Sequence, residues 1–286
     1  MTQYKQSSII GFIGGGNMAA AMISGLISKG FLGQDILVSE PSEDRAAWLS
    51  DKFGVSTVNK TQDVVDKSDV VVLAVKPQVI EAVVKQIDIR ADRSQVFVSI
   101  AAGTSIKTLE NILGHECAIV RLMPNMPALV GAGMSGLYAN ANTGEQQKKL
   151  ATTVAESFGE CLEVQNENDI NLVTALSGSG PAYFLLMIQH MISAGEELGM
   201  RSCDVKRLVG HTALGAAKLA LLSDDEPDIL CQRIASPGGT TEAALTTLHE
   251  IEVPSAVKQA VKSAYQRALD LSVQVGTANM SYLKAH

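Results

Sequence analysis

The sequence predicts an α/β chain in which a doubly wound parallel sheet is followed by an all-helical domain. Short apolar runs alternate with helical segments in the first half, and a glycine-rich turn follows the first of these runs. After Gly144 the pattern becomes almost continuously helical and rich in Ala, Leu and Met. Strands that alternate with helices form parallel sheets with right-handed crossovers. We therefore expect a dinucleotide-binding domain over 1–165 and a helical domain over 166–286.

The elements of the first domain follow in order from their patterns. The strands are short apolar runs, and the third is apolar almost throughout, as is typical of a strand covered on both faces. They are Ser8–Ile13, Ile36–Ser39, Asp69–Val75, Val96–Ile100 and Ala118–Leu122. Gly30 is suited to end the first helix, and Pro77 to begin the third. The helices are Met18–Lys29, Glu43–Lys52, Pro77–Ile87 and Thr104–Leu113.

The second half contains one further predicted strand, Glu160–Val164, which follows a helix over Glu145–Phe158. The remaining helices are Asn168–Leu176, Pro181–Leu198, Cys203–Leu222, Pro227–Ile234, Thr240–His249 and Pro254–Asn279. Several of these helices are apolar on more than one face. Such helices are buried in a core or at a subunit contact. Because so few helices are present to bury them, we expect an obligate oligomer built through this half.

The composition excludes several classes of protein. The 286 residues are 46% apolar and 4% aromatic, and the formal net charge is −7, which offers nucleic acid neither a basic face nor a stacking surface. The longest apolar runs fall far short of the roughly 18 residues that span a bilayer, and the N-terminus lacks a signal-peptide pattern. The four cysteines form no CxxC pair and predict neither zinc nor disulfides. We expect a cytoplasmic protein with no metal and no nucleic-acid or membrane partner.

The glycine-rich turn predicts dinucleotide binding. Gly14, Gly16 and Ala19 match the G-x-G-x-x-G/A pattern between a strand and a helix of an alternating α/β domain. Gly14 would make the tight turn, and Gly16 would let the backbone approach a pyrophosphate. The pyrophosphate would lie on the free N–H groups of the helix N-terminus. The first domain is therefore predicted to be of the Rossmann type.

The end of the second strand leaves the choice of dinucleotide open. Glu40 lies near the usual place for a carboxylate that binds the ribose 2′-OH of NAD. Ser39, Ser42 and Arg45 could instead hold the 2′-phosphate of NADP. All of these could also be ordinary surface residues.

Six motifs together carry a family resemblance. They are Gly14–Met18, Ala74–Pro77, Ser99–Gly103, Arg121–Asn125, Ser177–Tyr183 and Ser236–Thr241. In this order and over nearly the whole chain, they resemble pyrroline-5-carboxylate reductase. The resemblance implies reduction of 1-pyrroline-5-carboxylate to L-proline by NADPH, with NADH as the alternative. It also implies homodimers whose helical halves interlock, and rings of five dimers. Met126 departs from the family, which commonly has Thr after Met-Pro-Asn.

The cofactor site is predicted where these motifs end strands of the sheet, because ligands of open α/β folds bind at that edge. Lys76 would face a phosphate or ribose, or else be a solvated lysine. Asn125 would hydrogen-bond near the nicotinamide, or else simply form a turn. The full predicted set is Gly14, Gly16, Asn17, Met18, Ser39, Glu40, Ser42, Ala74, Val75, Lys76, Pro77, Ala101, Gly103 and Asn125.

The substrate is a small cyclic imine with one carboxylate, and Ser236–Thr241 is predicted to bind it. The N–H groups of Gly238, Gly239, Thr240 and Thr241 would form an anion-binding nest at a helix N-terminus, with Ser236 adding a hydroxyl. The resemblance assigns to Thr241 the hydrogen bond to the imine nitrogen. Alternatively, Ser236 and the threonines only cap a helix. Ser177 is expected to line the reaction cleft.

Two rival functions are weaker. A β-hydroxyacid dehydrogenase also joins a Rossmann domain to a helical one, but uses a lysine on an early helix of the second domain. This chain has no Lys between Leu150 and Lys206. A non-catalytic NADP(H) sensor would keep the glycine turn and would not need Ser236–Thr241. None of the five histidines lies in a motif, so we expect orientation and electrostatics, rather than a dedicated acid, to drive the reaction.

Overall fold

The computed structural model describes residues 8–89 and 94–283, the stretch 273–283 by its backbone alone. The segment before Ser8, on which the signal-peptide prediction partly rested, lies outside the described residues. The chain divides into two compact units. One comprises Met1–Ser179 with Ala264–His286, and the other is Gly180–Ser263. We call them the sheet unit and the helical unit.

The sheet unit is built on eight strands. They are β1 (Ile10–Ile13), β2 (Ile36–Ser39), β3 (Ser56–Val58), β4 (Val70–Leu73), β5 (Val96–Ser99), β6 (Ala118–Met123), β7 (Gly133–Ala139) and β8 (Gly159–Glu163). Their order in the sheet is β3-β2-β1-β4-β5-β6-β7-β8. The described pairs are parallel except for β6 with β7. The doubly wound sheet is thus confirmed, with an antiparallel strand that was not predicted.

Of the helices that the structure describes, six connect these strands and a seventh follows β8. They are α1 (Asn17–Ser28), α2 (Glu43–Phe53), α3 (Thr61–Lys67), α4 (Ile80–Val84), α5 (Ile106–Leu113), α6 (Glu145–Glu156) and α7 (Asp169–Val173). Short 3₁₀ turns cover Gly33–Asp35, Pro77–Val79 and Met126–Val130, and a π-helical turn covers Thr174–Gly178. The single helix predicted over Pro77–Ile87 is therefore a 3₁₀ turn followed by a short α4. β3 and α3 were not predicted.

The core lies on both faces of the sheet, as the alternation of side chains along a strand requires. In β4, Val70 and Val72 belong to a cluster with α1 and α6, whereas Val71 and Leu73 belong to one with α4 and α5. All four side chains are fully buried. The predicted two-sided burial of this strand is confirmed.

The helical unit contains α8 (Gly180–Glu197), α9 (Ser202–Leu222), α10 (Pro227–Ile234), α11 (Thr240–Glu250) and the first part of α12 (Val253–Leu283). α8 packs on α9 so closely that a Cβ on Gly195 would lie 2.7 Å from Val205. The unit nevertheless leaves many large apolar side chains exposed. Among them are Phe184, Leu185, Leu186, Leu198, Leu208, Leu221 and Leu222.

One helical stretch, Asp169–Glu197, is long and apolar enough by length and composition to cross a membrane, with a mean hydropathy of 1.3. The sequence criterion of uninterrupted apolar runs did not identify it. Core helices of soluble proteins pass the same test. The predicted domain boundary at 165 remains a prediction. The two compact units are defined by packing within the chain, whereas the predicted domains are defined by function.

Candidate functional site

The glycine-rich turn lies where the order of the sheet reverses. β1 pairs with β2 on one side and with β4 on the other. In open α/β sheets, ligands bind beyond the carboxyl ends of the strands at this reversal. Gly14–Gly16 follows β1 and Ala74–Pro77 follows β4, so the topology brings these two predicted segments to one edge of the sheet.

Gly14 and Gly16 differ in the space around them at this edge of the sheet. Gly14 has a φ of +98°, and a Cβ there would lie 2.7 Å from the carbonyl oxygen of Ala74. Its N–H donates to the carbonyl of Ser39 at 2.8 Å, which ties the turn to β2. By contrast, a Cβ on Gly16 would meet nothing within 4 Å. The space beside Gly16 is open, so the backbone there is accessible to a ligand.

The N-terminus of α1 is a ready anion site. Its N-cap, Gly16, has no side-chain cap. Gly16 and Asn17 are exposed, and Met18 is half-buried. The first N–H groups of a helix have no partners within the helix, and together with its dipole they favour a phosphate. An open space beside Gly16 and an uncapped helix end fit the pyrophosphate of a dinucleotide.

Gly15 is braced by two charged side chains. Its N–H donates to Glu40 Oε2 at 2.7 Å, and its carbonyl accepts from Arg45 Nε at 2.7 Å. The other Glu40 oxygen accepts from the Ser42 N–H at 3.1 Å. The Arg45 guanidinium lies over the Trp48 ring, 4.2 Å from its centre, and its Nη2 is buried without a hydrogen-bond partner.

The serines of this segment are also engaged. Ser39 is buried, and its hydroxyl shares a hydrogen bond with the Thr61 hydroxyl at 3.2 Å. Ser42 is the N-cap of α2, and its Oγ accepts from the Arg45 backbone N–H at 3.4 Å. A ligand role for either hydroxyl remains a prediction, and the structure gives each of them a structural partner.

The other predicted cofactor residues differ in accessibility. Ala74 and Val75 are half-buried, and the Ala74 N–H donates to the Ile13 carbonyl at 2.9 Å. Lys76 is exposed at the start of the Pro77–Val79 turn. Ala101 is buried in the core.

Gly103 is needed for packing. Its φ is +74°, and a Cβ there would lie 3.3 Å from the backbone of Leu271 in α12. The sheet unit therefore requires a small residue here for a reason other than ligand binding.

Asn125 and Ser177 form a closed hydrogen-bond network. Asn125 Nδ2 donates to both the carbonyl and the Oγ of Ser177 at 3.1 Å, and its Oδ1 accepts from the Met134 N–H at 3.0 Å. Ser177 Oγ donates to the Met134 carbonyl at 3.0 Å. Donation from Asn125 to the nicotinamide would require breaking this network, whereas its Oδ1 accepts one hydrogen bond and keeps a second lone pair. The predicted hydrogen bond to the nicotinamide remains a prediction. The structure makes Asn125 the anchor of the π-helical turn, a feature often found at functional sites.

Sequence reasoning missed a buried ion pair. Arg121, only 4% exposed, places Nη1 2.9 Å from Glu167 Oε1. The same oxygen accepts from the Ile106 N–H at 2.7 Å, in the first turn of α5. Burial lowers the pKa of Arg121, and the neighbouring Glu167 opposes that shift. The pair links β6 to α5 and to the segment before α7.

The predicted substrate segment lies in the helical unit. α11 begins at Thr240 after Gly239, without a side-chain cap, so the alternative that Ser236 or a threonine caps the helix is wrong. The N–H of Gly238, whose φ is +70°, donates to Glu242 Oε2 at 2.7 Å. The N–H of Gly239 donates to the Ser236 carbonyl at 2.9 Å.

Two of the four predicted nest donors are therefore engaged within the segment itself. Thr240 and Thr241 contribute N–H groups of the first helical turn, which have no partners within the helix. A carboxylate, that of Glu242, already occupies the Gly238 donor. The segment thus binds carboxylate oxygen, although here the oxygen comes from the chain itself.

Other kinds of site were also considered. Among the residues that the structure describes, no group of three His, Cys, Asp or Glu side chains could hold a metal ion. The four cysteines are free, and burial raises the pKa of Cys161 to about 12, which keeps that thiol protonated.

Two family models match the chain. One, described as pyrroline-5-carboxylate reductase dimerisation, matches residues 167–271. The other, described as NADP oxidoreductase coenzyme F420-dependent, matches residues 9–103. The first covers the π-helical turn and Ser236–Thr241, and the second covers the glycine-rich turn and Ala74–Pro77.

Whole proteins are similar to this chain as well. The pyrroline-5-carboxylate reductase of Pseudomonas aeruginosa is 43% identical over 93% of this chain and 98% of its own length. A structure of a pyrroline-5-carboxylate reductase from Coxiella burnetii has a TM-score of 0.86 at 37% identity, covering 93% of this chain and 99% of that one. The Plasmodium falciparum pyrroline carboxylate reductase, solved with NADP bound, has a TM-score of 0.84 at 30% identity, with 93% and 98% covered.

Proposed function

Because the chain belongs to the pyrroline-5-carboxylate reductase family, we propose how its own residues divide the work of that reaction. The enzyme reduces the C=N bond of 1-pyrroline-5-carboxylate with NAD(P)H and gives L-proline, the last step of proline biosynthesis. The observation that carries the assignment within this molecule is the open glycine-rich turn where the sheet order reverses.

The sheet unit supplies the proposed cofactor site. The N–H groups at the start of α1, beside the open space at Gly16, would hold the pyrophosphate. Ala74–Pro77, at the end of the neighbouring β4, would line the same edge, with the exposed Lys76 near phosphate or ribose. When bound, the reduced nicotinamide supplies a hydride for the reaction.

The helical unit supplies the proposed carboxylate site. The substrate carboxylate would take the free N–H groups of Thr240 and Thr241 and would exchange with Glu242 for that of Gly238. Ser236 would add its hydroxyl. Because one carboxylate would replace another at Gly238, the backbone N–H could keep its present orientation when the substrate binds.

Thr241 is the proposed catalytic residue. By its resemblance to the family, its hydroxyl would hydrogen-bond the imine nitrogen of the substrate. The carbon of the C=N bond accepts the hydride, and the nitrogen must carry a proton for this to proceed. No histidine is assigned to the step, so the chain acts chiefly by orienting the imine and holding its charge.

The chain forms a homo-oligomer, as the dimerisation model and the exposed apolar helices indicate. We propose a homodimer as the smallest form and a ring of five dimers as the larger one. Light scattering of the purified protein distinguishes them by mass. A monomer would contradict both.

We also propose that the enzyme works in the cytoplasm. All four cysteines are free, as a reducing compartment favours. The location of a fluorescent fusion protein in the source cells tests this proposal. Fluorescence outside the cytoplasm would contradict it.

The experiment that tests the function is oxidation of NADPH and NADH, followed by absorbance, with and without 1-pyrroline-5-carboxylate. Turnover that depends on the substrate and yields proline is the expected result. Cofactor binding without turnover would instead favour a sensor protein. No binding of either cofactor would contradict the assigned glycine turn.

A further inference from the structure

Two hydrogen bonds fix the position of Glu40 at the edge of the sheet where the adenosine ribose of a dinucleotide binds. β1 and β2 pair in register, with Ile13 opposite Ser39, so Glu40 follows β2 directly beside the glycine-rich turn. Both carboxylate oxygens accept backbone N–H groups, from Gly15 at 2.7 Å and Ser42 at 3.1 Å. A carboxylate at this place hydrogen-bonds a ribose 2′-OH, and its charge repels a 2′-phosphate.

Of the three side chains that would favour a 2′-phosphate, the two serines are engaged elsewhere and Arg45 is engaged in part. The Ser39 hydroxyl is buried against Thr61, and the Ser42 Oγ accepts from the first turn of α2. Arg45 donates its Nε to the Gly15 carbonyl and stacks on Trp48, whereas its Nη2 is buried without a hydrogen-bond partner. Arg45 therefore braces the same glycine as Glu40.

From this arrangement we propose that Glu40 is the specificity-determining residue for the cofactor and that the enzyme prefers NADH to NADPH. The inference rests on the proposed cofactor site and deepens it. It decides between the two readings of Ser39–Arg45 that the sequence leaves open. Two cations oppose it. Arg45 keeps an unpaired Nη2, and Lys60, exposed at the start of α3, follows β3 at the same edge of the sheet.

The test measures binding rather than turnover. Trp48 is the single tryptophan of the chain and lies over Arg45. Its emission overlaps the absorption of reduced nicotinamide, so its quenching reports binding of NADH and of NADPH without substrate. The wild-type protein should bind NADH at least about tenfold more tightly than NADPH, the size expected for one like-charge contact near a protein surface.

Three variants identify the source of the preference. Glu40→Gln removes the charge and should shift the ratio of the two Kd values about tenfold toward NADPH. Glu40→Asp keeps the charge and should retain the preference for NADH. Glu43→Gln makes the same charge change at an exposed position of α2 and should leave the ratio unchanged. Because the ratio of the two Kd values is compared, a variant that weakens binding of both cofactors equally leaves the result unchanged.

Other outcomes overturn the inference. Tighter binding of NADPH by the wild type would overturn it, and loss of that preference in Lys60→Ala would assign the 2′-phosphate to Lys60 instead. A preference for NADH that survives in Glu40→Gln would remove the role of Glu40. Failure of the proposed function is distinguishable, since it shows as a lack of substrate-dependent turnover while the two Kd values are still measured.

Discussion

Asn125 shows how a residue that is predicted to bind a ligand can commit both of its donors to its neighbours. Both of its N–H donors go to Ser177, and its oxygen accepts from Met134. The side chain is 8% exposed, so water replaces these partners poorly. The residue therefore fixes the π-helical turn against the start of β7, and Ser177 completes the loop through the Met134 carbonyl.

The first prediction concerns this network. Asn125→Ala should lower the free energy of unfolding by about 2 kcal/mol, because it leaves buried polar groups without partners. The double variant with Ser177→Ala should cost less than the sum of the single variants, by about 1 kcal/mol. Urea denaturation of the wild type, the two single variants and the double variant completes this double-mutant cycle. Simple additivity would mean that the hydrogen bonds do not act as a unit.

The second prediction concerns Thr241. Thr241→Ala should lower kcat/KM for 1-pyrroline-5-carboxylate by about 100-fold, because it removes a hydrogen bond to the nitrogen at which charge changes. NAD(P)H binding should be nearly unchanged. The matched control is Thr247→Ala on the same helix, whose hydroxyl donates only to the Ala243 carbonyl at 3.2 Å. An equal loss of cofactor affinity in Thr241→Ala would contradict its place on the substrate side.

At the scale of an element, the turn between β1 and α1 needs its glycines for different reasons. Gly14 has positive φ and no room for a side chain, whereas Gly16 has a φ of −62° and open space beside it. Substitution of Gly14 should therefore lower stability, whereas substitution of Gly16 should lower the affinity for the ligand.

The third prediction uses that separation. Gly14→Ala should cost about 2 kcal/mol or more of folding free energy, because it combines left-handed strain with a clash at the Ala74 carbonyl. Gly16→Ala should leave stability nearly unchanged and weaken dinucleotide binding, because its methyl group would occupy the ligand's space. Denaturation and fluorescence titration measure the two effects. Equal destabilisation by both variants would refute the distinction.

Much of the fold could be predicted because its signals are local. The buried strands β1, β2, β4, β5 and β6 are apolar runs of the right length, and the glycine pattern marks the first turn. β7 escaped because Gly133 and Gly136 weaken its strand pattern. The structure explains Gly136, since a Cβ there would lie 2.7 Å from Val173. β3 is a short, largely exposed strand without an apolar pattern.

The site was harder to predict because its contacts join distant residues. Asn125 and Ser177 are 52 positions apart, and no local pattern connects them. Glu242 could have been found, since an acidic residue at the third position of a helix commonly reaches back to a backbone N–H before it. The motifs identified the candidate segments in the chain, but could not show which of their N–H groups have partners.

At the scale of the whole molecule, the helical unit cannot bury its own apolar side chains. Phe184 is 74% exposed and Leu222 is 84% exposed in the single chain. Exposed apolar patches of this kind mark association surfaces. Association through the helical half therefore agrees with the structure and with the dimerisation model that matches this half, and its being obligate remains a prediction.

The fourth prediction tests that surface. Phe184→Asp should shift the protein to a smaller mass by light scattering, with its far-UV circular dichroism retained, because a charge would be buried on association. Leu32→Asp is the matched control, since Leu32 is 58% exposed in the sheet unit. Unchanged mass in Phe184→Asp would place the contact elsewhere on the helices.

The two edge strands of the sheet bear on how the protein behaves when concentrated. β3 spans only Ser56–Val58, and β8 carries the exposed Glu160 and Glu163. Short and charged edges are poor templates for adding another strand. The edges of the sheet therefore disfavour open-ended β-aggregation, and the exposed apolar helices are left as the surface for self-association. A chain that exposes apolar surface before it assembles is in this respect protected from aggregation through its sheet.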